Sequence, residues 1–362
     1  MSHATGPPSS SPASTATPAP TPKPTVSQYA CKRSSPRPCM NQALVDALAP
    51  LREAKFLGFG TQSEKSIAYA TVVSVIIGTP FRIETVEQAK ALPKIGPKLI
   101  TRIDEFLRKG YIQDSRATEK FQTFKLLQSL NGIGYSAAND LYGSGIRTLE
   151  VVAVVRPDLA PQLKDLPNLQ TKIPRSEVES IHAFVRLQID KVKKGSHSVL
   201  CGGYRRGKEF SNDVDILVTW PHQEGAEKGV FRKLVERLRI KGFIPDDSCI
   251  LGYSEAGSSR TTTANRPADR MDALDKALII FRHLANATSR PRDKFRRVDI
   301  VVANWKVFGC AVVGWSGSTH FERDLRRYAN KKNFVFDSGS ERDVFRLLEL
   351  DWIPRELRNA DP

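Results

Sequence analysis

The sequence predicts an α+β protein: an all-helical N-terminal part, then a mixed sheet with helices, then a small α/β C-terminal part. Three observations carry this. Residues 41 to about 170 hold apolar side chains at helical spacing. From about 176 onward, β-rich runs (SVLCGG, DVDILVTW, RRVDIVVA) are separated by helical patterns. A glycine-turn-then-helix unit occurs twice in the first part. The 362 residues suffice for two or three domains with sizeable cores.

Residues 1–40 are rich in Ser, Thr, Pro and Ala, and the first acidic residue is Asp46. Such a segment is expected to be a disordered tail. An acid-free N-terminus also suits a transit peptide, but arginines are few and prolines many. Helices are predicted over NQALVDALAPLREAKFLGF and SIAYATVVSVIIG. Leu92-Pro93-Lys94-Ile95-Gly96-Pro97-Lys98 then leads into LITRIDEFLRKG. There Leu99, Ile103, Phe106 and Leu107 share one face, and Gly110 is placed to end the helix. The second unit is Leu130-Asn131-Gly132-Ile133-Gly134, followed by YSAANDLYGSGI. A glycine turn of this kind offers peptide N–H groups at a helix N-terminus, where the dipole favours a phosphate. Such a contact grips a DNA backbone without reading bases.

SEVESIHAFVRLQIDKVKKG reads as a helix through Ile181, Phe184, Val185 and Ile189. FRKLVERLRIKGF is a further helix, and KALIIFRHL is apolar enough for a strand. Residues 254–270 lack large apolar side chains and are expected to form a flexible loop.

The formal net charge is +16. This implies a polyanionic partner, nucleic acid first and an anionic membrane surface second. No apolar run approaches the ~20 residues that span a bilayer. Five scattered cysteines include no CxxC pair, which argues against zinc and against a disulfide framework. They fit a reducing intracellular compartment, and no signal-peptide core is present at the N-terminus.

The chemistry concentrates in Cys201-Gly202-Gly203-Tyr204-Arg205-Arg206-Gly207, followed by Asp213-Val214-Asp215. The glycines let a phosphate approach the backbone, and the arginines add charge. Asp213 and Asp215 point to one side of a strand, because side chains alternate. Carboxylates so close repel, so they need a metal or raised pKa values. Asp299, in RRVDIVVA, supplies a third acid. If the two strands are neighbours, three carboxylates can hold two Mg²⁺, with Mn²⁺ equally compatible with oxygen ligands.

CGGYRRGKEFSNDVDILVTW resembles the palm signature of the family X DNA polymerases, within the nucleotidyltransferase superfamily. The resemblance covers roughly residues 41–362. It includes both glycine units as helix-hairpin-helix motifs, IPRSEVE, RRVDI, GWSGS (314–318), FERDLRRYA and LELDWIPRELRNA. The last three are similar to the mu and terminal-transferase branch. The resemblance implies a tail (1–40), a lyase-like hairpin domain (41–112), a second hairpin subdomain (113–175), a nucleotidyltransferase palm (176–312) and a thumb (313–362). It implies metal ligation by Asp213, Asp215 and Asp299, with Asp299 nearest the primer 3′-hydroxyl. Arg175, Gly203, Arg206, Asn212, Gly314, Trp315 and Gly317 would then surround the nucleotide. Lys94, Gly96, Lys98, Gly132, Gly134, Arg297, Arg323 and Arg326 would contact DNA. A monovalent cation at the hairpin turns is also implied. The expected partners are gapped or broken double-stranded DNA, a (d)NTP and end-joining factors, with no membrane. The expected state is a nuclear monomer.

Four departures from the family pattern qualify this. Arg102 stands where lyase-active members carry a Schiff-base lysine, and a guanidinium cannot act as that nucleophile. Efficient 5′-deoxyribose-phosphate lyase activity is therefore not expected. Asn212 precedes Asp213 where mu-like members have His, so template-independent addition is expected to be weak. No BRCT-like pattern is read before residue 41. NKKNFVFDSGSERDVF is short where the family has an added strand and turn, which shortens the thumb. Gly314-Trp315 replaces the Tyr-Phe of beta-like members, which implies weaker rejection of a 2′-hydroxyl. The expected activity is template-directed DNA synthesis. A template-free terminal transferase and a catalytically impaired DNA end-binding scaffold are the alternatives.

Overall fold

A computed structural model of the chain describes residues 26–113, 118–130, 132–244, 250–254, 274–283, 294–334 and 338–362. The polar segment 254–270 lies outside the described residues, apart from Ser254.

The first part is helical, as expected. Helices α1 (Gln42–Phe59), α2 (Glu64–Ile77), α3 (Val86–Lys90) and α4 (Pro97–Lys109) enclose one core. Leu44, Leu48, Val72, Val73, Ile76, Leu99 and Ile103 fill it. Pro97 opens α4 at a position where its missing N–H costs nothing. Gly110 closes α4 in the left-handed conformation, φ 77°, with its N–H bonded to the Phe106 carbonyl. Helices α5 (Glu119–Leu127), α6 (Tyr135–Gly143), α7 (Leu149–Val155) and α8 (Ala160–Gln170) make a separate small core around Phe124, Leu127, Leu130 and Ile133.

From residue 173 the chain turns to strands. A short ribbon pairs β1 (Ile173–Pro174) with β3 (Phe210–Ser211). Between them run α9 (Arg175–Val192), β2 (His197–Leu200) and the single turn α10 (Gly202–Arg205). Then come β4 (Val214–Thr219), α11 (Val230–Ile240), β5 (Ile250–Ser254), β6 (Asp275–His283) and β7 (Lys294–Val302). The main sheet has the order β2-β4-β7-β6-β5. Only β4 and β7 pair in parallel; the other neighbours are antiparallel. Val214, Ile216, Val218, Val298, Ile300 and Val302 bury one face of the sheet against α9 and α11. The alternate residues Leu217 and Val301 pack on the other face against Phe308, Ala311 and Val312. These three sit on α12 (Phe308–Ser316), followed by α13 (Thr319–Lys331) and α14 (Glu341–Leu347). The C-terminal part, expected to be α/β, holds no paired strand among the described residues. The FVF run (334–336) lies outside them apart from Phe334. No helix among the described residues is long and apolar enough to cross a membrane.

The tail is corrected in part. Residues 1–25 lie outside the described residues, but 26–40 are an ordered strap. Ala30 and Cys31 are fully buried in the core formed by Val313, Phe321, Leu325, Val344 and Phe345. The Ala30 N–H donates to Asp324 Oδ2 at 2.8 Å. Ser35 donates to the Leu357 carbonyl and accepts from the Asn359 N–H. Arg33 donates to Ser74 Oγ on α2. The strap thus joins the N-terminal helical core to the C-terminal one. Its Pro/Ser-rich composition cannot form a core alone, but it completes one built elsewhere.

Candidate active site

The parallel register of β4 and β7 sets Asp215 directly beside Asp299. Asp213 ends the turn into β4, two residues before Asp215, and so points the same way. The three carboxylates each offer an oxygen within 4.8 Å of the others. They continue the stripe of Leu217 and Val301, so a polar cluster caps an apolar face. Burial, and then repulsion from Asp299, pushes the Asp215 carboxyl up to about 7. Burial pushes Asp299 up to about 6, and Arg297 opposes that rise. Arg297 is ion-paired with Asp213, and its Nε stands 3.8 Å from Asp299 Oδ1. That Oδ1 is buried and accepts no hydrogen bond among the described residues. Three crowded carboxylates, one with an unfilled buried oxygen, suit a hard divalent cation. Arg297, expected on DNA, lies beside the triad and supplies a counter-charge there.

The loop from Cys201 to Lys208 wraps this cluster. Gly202 has φ +58°, and a Cβ there would lie 1.9 Å from Asp215 Oδ2. The carboxylate therefore rests against the Gly202 backbone, a position only glycine allows. Gly203 lines the cleft beside it. Arg206 donates to the Ser316 carbonyl and, at 3.2 Å, to Asn359 Oδ1. Gly317 keeps φ +68° against the Arg206 guanidinium. Burial, followed by the nearby Arg206, pulls Lys208 down to about 8.

Arg175, expected at the nucleotide, is not among the residues that line the cleft. It donates to the carbonyls of Tyr204 (2.9 Å) and Lys208 (3.1 Å), and stacks 3.8 Å over the Tyr204 ring. It holds the loop through these contacts. Lys172 lines the cleft instead, hydrogen-bonded to Asn212 Oδ1.

The cleft has a volume of about 630 Å³. It brings together Gly203, Arg206, Asn212, Asp213, Asp215, Gly314, Trp315, Gly317 and Arg326 of the residues named from sequence. Arg326 is paired with Glu322. Arg323 does not line the cleft; it donates to the Thr61 carbonyl at 3.3 Å. Six charged lining residues were missed: Arg52, Lys172, Lys208, Lys276, Glu322 and Asp361. Lys208 lies within the glycine-arginine motif and was legible. The others sit far apart in sequence and meet only through the fold.

The hairpin residues form a separate region. Gly96 and Gly134 are the N-cap residues of α4 and α6. A Cβ at either would meet nothing within 4 Å. Lys94 and Lys98 are exposed, and Gly132 has φ +92°. Asn131 lies outside the described residues. Arg102 is paired with Glu105 at 2.9 Å.

Three family models match the chain. The DNA polymerase beta palm matches residues 172–304, a helix-hairpin-helix domain matches 39–112, and the DNA polymerase beta thumb matches 311–340. The chain is 30% identical to human DNA-directed DNA/RNA polymerase mu, over 92% of this chain and 72% of that protein. It is 27% identical to human DNA nucleotidylexotransferase, over 92% and 71%. It is 26% identical to DNA polymerase type-X family protein pol4 of Schizosaccharomyces pombe, over 92% and 68%.

Proposed function

The chain belongs to the family X DNA polymerases, DNA-directed polymerases with nucleotidyltransferase chemistry, and we propose that Asp213, Asp215 and Asp299 are its catalytic residues. The observation that carries this is the register of Asp215 beside Asp299, with Asp213 completing a cluster within 4.8 Å. These residues would hold two divalent ions, Mg²⁺ or Mn²⁺, both of which bind oxygen ligands. The bound ions would lower the pKa of the attacking hydroxyl and neutralise the triphosphate.

The residues of the chain do the rest. The primer 3′-oxygen attacks the α-phosphorus of the incoming (d)NTP, a P–O bond forms, and pyrophosphate leaves. Gly203, Arg206 and Lys208 present a backbone turn and two cations to the triphosphate. Gly202 lets Asp215 seat against the loop, which sets the distance from carboxylate to phosphate. Arg175 fixes that loop through two carbonyls. Gly314 and Trp315 form the wall where the sugar would lie. The hairpins at Gly96 and Gly134, with Lys94 and Lys98, would hold the DNA backbone and supply the salt-sensitive part of binding. The substrate would be a short gap or a broken end, during repair in the nucleus by end joining or base excision.

The test is extension of a labelled primer across a one-nucleotide gap, with Mg²⁺ and one complementary dNTP. Wild type is expected to add one nucleotide. Asp213→Ala is expected to lose at least roughly a thousandfold in rate while binding the same DNA. Extension persisting in that variant would remove the triad assignment. Equal addition to a primer lacking a template would move the function to terminal transfer.

A further inference from the structure

The cleft wall contributed by α1 belongs to the N-terminal helical part, far in sequence from the triad. Arg52 and Phe56 lie on it, in the same cavity as Arg206, Lys208 and Asp361. The Arg52 side chain is only 16% exposed. Its guanidinium lies 4.3 Å over the Phe56 ring. One Nη2 is ion-paired with Asp361 Oδ1, and its Nε is buried with no hydrogen-bond partner. Asp361 Oδ2 accepts the His320 N–H at 2.8 Å, in the first turn of α13. The Asp361 carboxylate also acts on Arg206 and Lys208, favouring their charged forms. It is therefore the anion set among the cations of this part of the cleft.

A desolvated guanidinium with an open donor is costly unless an anion completes it. Its forked geometry suits phosphate oxygens better than a single carboxylate contact. We propose that Arg52 is a further cation of the nucleotide subsite, taking phosphate oxygens of the incoming triphosphate, and that Asp361 is the built-in counter-anion that holds Arg52 ready until they arrive. For the nucleotide as ligand, this rests on the polymerase function proposed above. A DNA backbone phosphate carries the same chemistry. The nucleotide is favoured because Asp361 couples Arg52 to Arg206 and Lys208, which flank the triad, and not to the hairpin turns.

The experiment is calorimetric titration of the full chain with inorganic tripolyphosphate, without DNA, and in parallel with gapped DNA alone. Arg52→Gln is expected to weaken tripolyphosphate about tenfold and to leave gapped-DNA affinity within twofold. Arg52→Lys, which keeps charge but loses the fork, should fall between. Asp361→Asn is expected to tighten tripolyphosphate about threefold, because it removes the competing carboxylate. If Asp361→Asn instead weakens binding as much as Arg52→Gln, with a lower Tm, the pair is a strut and the proposal fails. Unchanged binding in Asp361→Asn would remove the counter-anion role. Loss of DNA affinity alone in Arg52→Gln would assign Arg52 to the DNA backbone. None of these readings needs synthesis, so failed primer extension by wild type would overturn the polymerase mechanism without deciding this point.

Discussion

Two regions of this molecule carry glycines that the proposed function places beside phosphate, and they use them for opposite reasons. At the hairpins, Gly96 and Gly134 have ordinary negative φ and empty space where a Cβ would stand. The glycine there leaves room for something outside the protein. In the palm, Gly202 has φ +58°, and the protein's own Asp215 carboxylate occupies the space of its missing Cβ, which would stand 1.9 Å from Oδ2. The glycine there leaves room for a catalytic group. One site is an open docking point, and the other is a packed assembly in which loop and triad are a single object.

Of the glycine substitutions, the largest expected effect follows from the packed site. Gly202→Ala should displace Asp215, strain the backbone by about 1 kcal/mol and cut gap filling by roughly a hundredfold or more, since misplacing a catalytic group by 1 Å costs about that much. Single-turnover extension with saturating nucleotide and DNA would measure it. A Gly202→Ala protein with near-normal rates would mean that the loop and Asp215 are not coupled, and the contrast between the regions would collapse.

A smaller effect is expected at the open site. Gly96→Ala and Gly134→Ala should each keep the synthesis rate within about twofold at saturating DNA. Each should raise the Kd for gapped DNA about fivefold, the size of one backbone contact of about 1 kcal/mol. Titrations at several salt concentrations would separate this loss from a change in ionic contacts. If either variant lost synthesis as completely as Gly202→Ala, the hairpins would be part of the catalytic assembly.

The same contrast explains what could be read from the sequence. The triad was legible because a two-residue spacing in a β-rich run fixes the side on which Asp213 and Asp215 lie. The hairpin glycines were legible because each turn and its helix are local. The need for glycine at 202 was not legible, because it arises from where β4 places Asp215. Arg175 was assigned to the nucleotide from its motif, yet its Nη1 holds two carbonyls of the loop and the side chain does not line the cleft. Arg52 and Asp361 meet only because the N-terminal helical part closes against the C-terminal residues. The strap at 26–40 was hidden by composition. Its buried Ala30 bonds to Asp324, 294 positions away. Only the short apolar run Tyr29-Ala30-Cys31 marked it.

An effect no larger than that at the hairpins separates the two regions by proton chemistry. Lys208 is held near pH 8 by burial and by Arg206, well below the usual lysine range. It is charged at pH 7 and loses its proton as pH rises through about 8, so it offers the triphosphate less attraction at pH 9. The KM for dNTP is expected to climb roughly fivefold between pH 7 and pH 9, as one charge-assisted contact of about 1 kcal/mol weakens. Bound triphosphate favours the protonated lysine, so saturating nucleotide should push the transition upward and leave kcat flatter than KM. Peptide N–H donors at the hairpins do not titrate in this range, so the Kd for gapped DNA should stay level across it. Lys208→Arg should flatten the KM profile, because a guanidinium keeps its proton at pH 9. A KM that is flat with pH in wild type, or a DNA affinity that falls in step with it, would mean that Lys208 is not the cation sensed by the nucleotide.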